Sequence, residues 1–140
     1  MERGKQGTMQ FQLIFDGGSL GNPGDAYGSY SIKRGKGSFR KPVRCDFGRG
    51  TNNEAEYRSL IEGLKGILAE AEQDDIPFNE INLVVRGDSQ LVLKQVEGAW
   101  KAKNPRMRVL RDQARGLLRC MGSVIYKHHD RSISVEILGH

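Results

Sequence analysis

Residues 51–73, TNNEAEYRSLIEGLKGILAEAEQ, constrain the fold more than any other stretch of this chain. Tyr57, Leu60, Ile61, Leu64, Ile67, Leu68 and Ala71 fall on one helical stripe. Thr51 followed three residues later by Glu54 fits a capping box, so the helix is predicted to begin near Asn52. Around it the period changes to that of strands. MQFQLIFDGG alternates from Phe11 to Phe15 and stops at a glycine pair, and GNPG then forces a loop. AYGSYSIKRG and SFRKPVRCDFG read as two further strands joined in a hairpin by GKG, with Pro42 on an edge because it cannot donate to a ladder.

INLVVRGDS is a short apolar run that suits a buried strand. SQLVLKQVEG reads as a short helix closed by Gly98. From Pro105, Met107, Leu110, Ala114, Leu117, Leu118 and Met121 recur at helical spacing, which predicts a helix to Gly122. SVIYKHHD and SISVEIL close the chain as one strand or two. Three strands, a helix, a strand, helices and a last strand describe an α/β fold: a mixed sheet with helices packed on it.

With 140 residues, no repeat and no internal linker, residues 9–140 are expected to form one domain behind a flexible segment 1–8. No apolar stretch approaches the roughly 20 residues of a membrane helix, and MERGKQGTMQ has no apolar centre, so a monomer in a reducing cytoplasm is expected. Cys45 and Cys120 lie in no metal-binding spacing and read as idle or buried thiols, with a disulfide open but unforced. The net charge of +5 is concentrated: eight Lys and Arg lie between Lys94 and Arg119 against Glu97 and Asp112 alone. Such a block suits either a solvated helix face or the phosphates of a nucleic acid.

Asp16 ends the first strand, Asp88 ends the fourth, and Glu56 lies one turn into the long helix. Carboxylates so placed can converge at one sheet edge, where their repulsion is relieved by a hard divalent cation. Each also has a structural reading, as turn residue, first-turn helix acid and helix cap respectively.

Together, DGGSLGNPGDAYGSY, TNNEAEYRSLIEGL and VVRGDSQLVLKQVEGAWKAKNP, in that order, resemble type 1 ribonuclease H over about residues 9–125. The short WKAKNP resembles the compact prokaryotic form without a basic protrusion. The resemblance implies a ribonuclease H-like five-stranded mixed sheet with strands 1–3 antiparallel. It implies that Asp16, Glu56 and Asp88 hold two Mg²⁺ or Mn²⁺ ions, and that the RNA strand of an RNA·DNA hybrid is cut to 5′-phosphate and 3′-hydroxyl ends. Gly17, Gly18, Asn22, Asn52, Asn53 and Gln90 then match substrate-binding positions, with Thr51 and Asn22 on a DNA-strand phosphate. Lys94, Lys101 and Lys103 would add salt-sensitive binding, and Trp100 would brace that surface or pack between helices.

The end of the chain departs from the family. Laying RSISVEILGH on the run that carries the fourth acid puts Arg131 on its arginine, Ser134 on its asparagine and Leu138 on its aspartate, so that acid and the terminal helix are both expected to be absent. Three explanations stand: a degenerate member that binds hybrid but cleaves poorly, a Gly-His pair that assists metal exchange or product release, or His140 as the fourth ligand by ring or terminal carboxylate, delivered by SISVEIL as a strand.

Overall fold

The computed structural model describes residues 9–139. The expected flexible segment 1–8 and the candidate ligand His140 lie outside the described residues. Five strands, β1 (Met9–Gly21), β2 (Gly24–Arg34), β3 (Val43–Gly50), β4 (Ile81–Gly87) and β5 (Ser123–His128), form one sheet in the order β3-β2-β1-β4-β5. β1, β2 and β3 pair antiparallel, whereas β4 runs parallel to both β1 and β5. This is the expected mixed sheet. Pro42 immediately precedes β3, an edge strand, so its missing N–H costs no ladder bond.

Helix α1 (Asn52–Gln73) starts where the capping box places it: Thr51 Oγ1 accepts from Glu54 N–H, and the Glu54 carboxylate accepts from Thr51 N–H. Its stripe from Tyr57 to Ala71 is buried against Phe11, Leu13 and Phe15 of β1 and Leu83 and Val85 of β4. α2 (Gln90–Glu97) is capped by Ser89 and closed by Gly98 in the left-handed conformation that glycine adopts without strain. α3 (Pro105–Leu118) begins under Asn104, whose Oδ1 accepts from the N–H groups of Arg106 and Met107. It stops four residues short of Gly122, because Gly122 N–H is committed to the Ile81 carbonyl and leads the chain into β5. Trp100 stands between α2 and α3 in sequence and is 44% exposed.

Two expectations are corrected. β1 runs through the glycine pair to Gly21, because β2 continues to supply hydrogen-bond partners, from Asp16 opposite Ser29 to Gly21 opposite Gly24. The terminal helix is present: residues Arg131–Leu138 form α4, not a strand. Ser134 and Leu138, four residues apart, are its buried stripe, and it packs on β1 and β2. Ile14 points to the face of the sheet opposite Leu13 and Phe15 and is fully buried there.

The far end of α1 is tied to β2 by charge. Glu70 takes Arg34 Nη1 at 2.9 Å and both arms of the Arg40 guanidinium. The Arg40 hydrogen bond, followed by that of Arg34, holds the Glu70 carboxyl below the usual carboxylate range despite partial burial. A lowered folded-state pKa gives stability that is present above the unfolded value and lost as pH falls through the folded one. Glu70→Gln is therefore expected to cost about 1 kcal/mol at neutral pH, with its deficit against wild type closing in acid, as read by urea unfolding across pH 7 to 3.

Candidate metal centre and nucleic-acid interface

The parallel register of β1 and β4 builds the centre. Phe15 pairs with Gly87, the last β1–β4 pair, so Asp16 within β1 and Asp88 just past β4 come next on the two chains, side by side. Glu56 arrives from the other direction, one turn into α1. The helix crosses β1 at Gly17 so closely that a Cβ there would lie 2.4 Å from the Ala55 carbonyl carbon. Only glycine permits that approach. Asp16, Glu56 and Asp88 each offer an oxygen, and these atoms lie within 4.8 Å of one another, as expected from sequence.

Asp16 is 2% exposed and Glu56 9%. Burial, then the charges of Asp16 and Asp88, push the Glu56 carboxyl up to about 10, although the Gly17 amide pulls the other way. At neutral pH the metal-free cluster therefore keeps a proton on Glu56. Glu56 Oε2 and Asp88 Oδ2 are buried without a hydrogen-bond partner. Lone pairs left bare beside like charge fit a divalent oxygen-seeking cation, which would replace that proton.

The remaining residues of the sequence-based assignment divide by place. Gly17, Gly18 and Asn52 line the cleft over Asp16 and Glu56, a hollow of about 300 Å³. Asn22, Thr51, Asn53, Lys101 and Lys103 line a neighbouring hollow of about 430 Å³. Asn22 has a structural duty as well, since its Oδ1 accepts from Asn52 N–H at 3.0 Å and ties the β1–β2 turn to the start of α1. Gln90, exposed on the first turn of α2, and Lys94, paired with Glu97 at 3.8 Å, line neither hollow.

Comparison with known proteins follows the same outline. A family model described as reverse transcriptase-like matches residues 44–136. Ribonuclease HI of Halobacterium salinarum is 43% identical over 104 residues, which are 74% of this chain and 48% of that protein, so the chain spans about half its length. The crystal structure of RNase H1 from the same archaeon superposes with a TM-score of 0.78 at 36% identity, covering 93% of this chain and 92% of that one. This chain belongs to the type 1 ribonuclease H family. LC11-RNase H1, solved in complex with an RNA/DNA hybrid, is 25% identical with a TM-score of 0.80, covering 91% of this chain and 90% of that one.

Among the described residues of this ribonuclease H-family chain, no fourth acid joins the cluster. Leu138, laid on the family's aspartate, is a core residue at 1% exposure. The strand route for His140 is replaced by α4, whose last carbonyl, on Leu138, accepts from Arg44 on β3 at 3.2 Å. Arg44, Ser29 and Asp16 form one row across three strands, with Arg44 on the edge strand two places from Asp16.

Sequence reasoning missed two residues at the centre. Arg131, the first residue of α4, lines the cleft with Asp16 and Glu56, as does Tyr27, whose ring lies over Gly18. KHHD ends β5 at His128 and leads through His129 and Asp130 into α4 rather than closing a hairpin. His128 Nε2 lies 3.2 Å from the Asp88 carbonyl, and His129 Nε2 lies 3.0 Å from the Ser134 hydroxyl. Burial, then Arg86, lowers the His129 pKa, so it holds α4 as a neutral ring. The pairing of β5 with β4, which ends at Gly87 opposite His128, is a long-range fact that no local pattern in KHHD carries.

A buried relay braces the second hollow. Tyr57 OH donates to Gln95 Oε1 at 2.8 Å, and Gln95 Nε2 donates to the Lys101 carbonyl at 3.3 Å. Tyr57→Phe strands the Gln95 amide and is expected to cost about 1–3 kcal/mol in urea unfolding.

Proposed function

We propose that the chain is a metal-dependent endoribonuclease that hydrolyses the RNA strand of RNA·DNA hybrids, leaving 5′-phosphate and 3′-hydroxyl ends. One observation carries the reading: three carboxylates, two of them with orphaned oxygens, converge at the carboxyl edge of a ribonuclease H sheet. Two Mg²⁺ or Mn²⁺ ions held by Asp16, Glu56 and Asp88 would activate the attacking water and stabilise the leaving 3′-oxygen.

The chain itself supplies position. Gly17 and Gly18 keep the cleft floor free of side chains, so a sugar-phosphate backbone can come down onto the carboxylates. Arg131 faces the same cleft and offers a guanidinium fork to a phosphate beside the one being cut. Asn52 and Gln90 offer amides to 2′-hydroxyls, the group that separates RNA from DNA. Asn22, Thr51, Asn53, Lys101 and Lys103 take the opposite strand, with Lys94 adding charge nearby. The hybrid complex of LC11-RNase H1 supports this substrate. The free thiols of Cys45 and Cys120 suit a reducing cytoplasm, and among the described residues no helix is long and apolar enough to cross a membrane.

The lack of a fourth acid among the described residues favours a second reading, a hybrid-binding module that has lost cleavage. Incubating RNA·DNA hybrid, duplex RNA and single-stranded RNA with Mg²⁺ or Mn²⁺ separates them: cleavage confined to hybrid supports the nuclease, and intact hybrid retarded in a gel supports the module. His140 remains the proposed fourth donor, reaching the carboxylates from beyond Gly139. If its ring serves, His140→Ala will lower hybrid cleavage most in Mn²⁺, the ion an imidazole favours over Mg²⁺, and unchanged rates in both metals remove the ring from the site.

A further inference from the structure

Tyr27 enters the cleft of the carboxylates from β2. Asp16 and Gly18 share one face of β1, and β2 sets Ser29 opposite the first and Tyr27 opposite the second. Gly18 has no side chain to stand in the way, so the phenol lies across it: a Cβ there would be 2.8 Å from the Tyr27 hydroxyl and 2.9 Å from Cζ. The hydroxyl end therefore rests two residues along β1 from Asp16, roughly 7 Å, the span of a single nucleotide of a sugar-phosphate backbone.

The sheet is irregular at this residue. Ala26 pairs with Gly48 but Tyr27 pairs with Asp46, which leaves Phe47 as an extra residue in β3, and Gly48 takes a φ of 73°. A bulge of this kind increases the local twist and re-aims the side chains beside it. Tyr27 is 37% exposed, whereas Tyr30, three residues on, packs against the core beside Gly66 of α1. Of the aromatic side chains among the described residues, Tyr27 is the one that lines the cleft. Asp16 and Glu56 bring acceptors for a cation to that hollow, while Arg131 and Tyr27 bring donors, a guanidinium and a phenol. A phenol donates to a phosphate oxygen without carrying a charge, so it can stand near the carboxylates without competing for them as a lysine would. Its ring also offers an apolar face to a sugar.

We propose that Tyr27 is a substrate-binding residue for the strand being cut, its hydroxyl donating to the phosphate next to the scissile one. The proposal rests on the nuclease reading in taking the cleft of Asp16, Glu56 and Asp88 as the place of that strand. It gives the bulge of β3 a purpose, since the bulge stands at the residue whose side chain lies over the cleft floor.

The test compares wild type with Tyr27→Phe, which keeps the ring over Gly18 and removes the hydroxyl alone. Tyr30→Phe is the control, removing the same atom from the opposite face of β2. The substrates are an RNA·DNA hybrid and a set in which one linkage of the RNA strand at a time is a methylphosphonate after a deoxynucleotide. Each is matched to the same deoxynucleotide with an ordinary phosphate. Affinity is read by fluorescence anisotropy in EDTA at low salt, and cleavage in Mg²⁺. Tyr27→Phe should weaken affinity and raise KM by about tenfold, the loss of a hydrogen bond to a charged group, with kcat within about twofold of wild type. Tyr30→Phe should match wild type in both. The methylphosphonate penalty should shrink by about tenfold in Tyr27→Phe at one linkage, next to the cut, and at no other. Wild-type affinity in Tyr27→Phe, a fall in kcat at unchanged KM, an equal loss in Tyr30→Phe, or the same penalty as wild type at every linkage overturns the proposal. The two assays keep the readings apart. Hybrid bound but not cleaved by wild type, with weakening at one linkage in Tyr27→Phe, removes the nuclease and keeps the contact, whereas cleavage with matching KM in both proteins keeps the nuclease and removes the contact.

Discussion

Asp88→Asn is expected to abolish hybrid cleavage, by about a thousandfold or more, while making the metal-free protein more stable. The opposite signs share one cause. Asp88 Oδ2 is buried without a partner, beside Asp16 and Glu56. An amide there removes a negative charge and adds donors that Glu56 or Asp16 can accept, which relieves repulsion by about 1–2 kcal/mol. The same change removes an anionic oxygen that a divalent cation requires. Thermal unfolding with and without Mg²⁺ reads both effects. Wild type should gain stability on adding the ion, by the mass action of binding to the folded state, and Asp88→Asn should start higher and gain little. A variant that unfolds more readily than wild type in EDTA would mean that Asp88 holds the fold together rather than waiting for a cation.

Gly17→Ala is expected to be the most damaging single methyl group that can be added near the centre. The new carbon would sit 2.4 Å from the Ala55 carbonyl carbon, 2.5 Å from its oxygen and 2.6 Å from Glu56 N. All three are backbone atoms of α1, so no side chain can swing aside. The helix must back away from β1 by about 1 Å, at a cost of about 3 kcal/mol, carrying Glu56 away from Asp16. Cleavage should fall at least about a hundredfold even at temperatures where the protein stays folded. Gly18→Ala is the control, because there the added carbon meets the Tyr27 hydroxyl at 2.8 Å, the far end of a side chain that can turn outward. It should cost less than about 1 kcal/mol. Equal losses in the two variants would show that the crossing of α1 over Gly17 is not what sets the centre.

Elements whose signals are local were legible in the chain. The Thr51–Glu54 box, the helix start at Pro105 and the closing Gly98 all lie within a few residues of the boundary they set. The three carboxylates were legible because each stands beside a local signal, a glycine pair after Asp16, a capping box before Glu56 and the end of an apolar run before Asp88. Helix α4 was not. In RSISVEIL the branched residues alternate with polar ones as in a strand, and a buried serine stands where an apolar residue would have shown the helical stripe. What keeps Ser134 inside is His129, and what keeps Leu138 inside is the far face of β1 and β2, neither of which is adjacent in sequence to announce it. Arg131 was missed for the same reason: it enters the cleft only because α4 begins there. The extension of β1 through Gly17 and Gly18 likewise depends on β2 as partner, and a glycine pair read alone suggests only an end.

The pairing of Phe15 with Gly87 has a consequence for how such a centre persists. Asp16 and Asp88 each follow the last β1–β4 pair by a single residue, so their spacing is inherited from the hydrogen-bond ladder and not from any loop. The segments between β2 and β3, between α1 and β4, and between α2 and α3 can lengthen, shorten or change partner without retuning that distance. Chemistry is anchored to the least variable ruler in the molecule, and recognition is left to the parts free to drift.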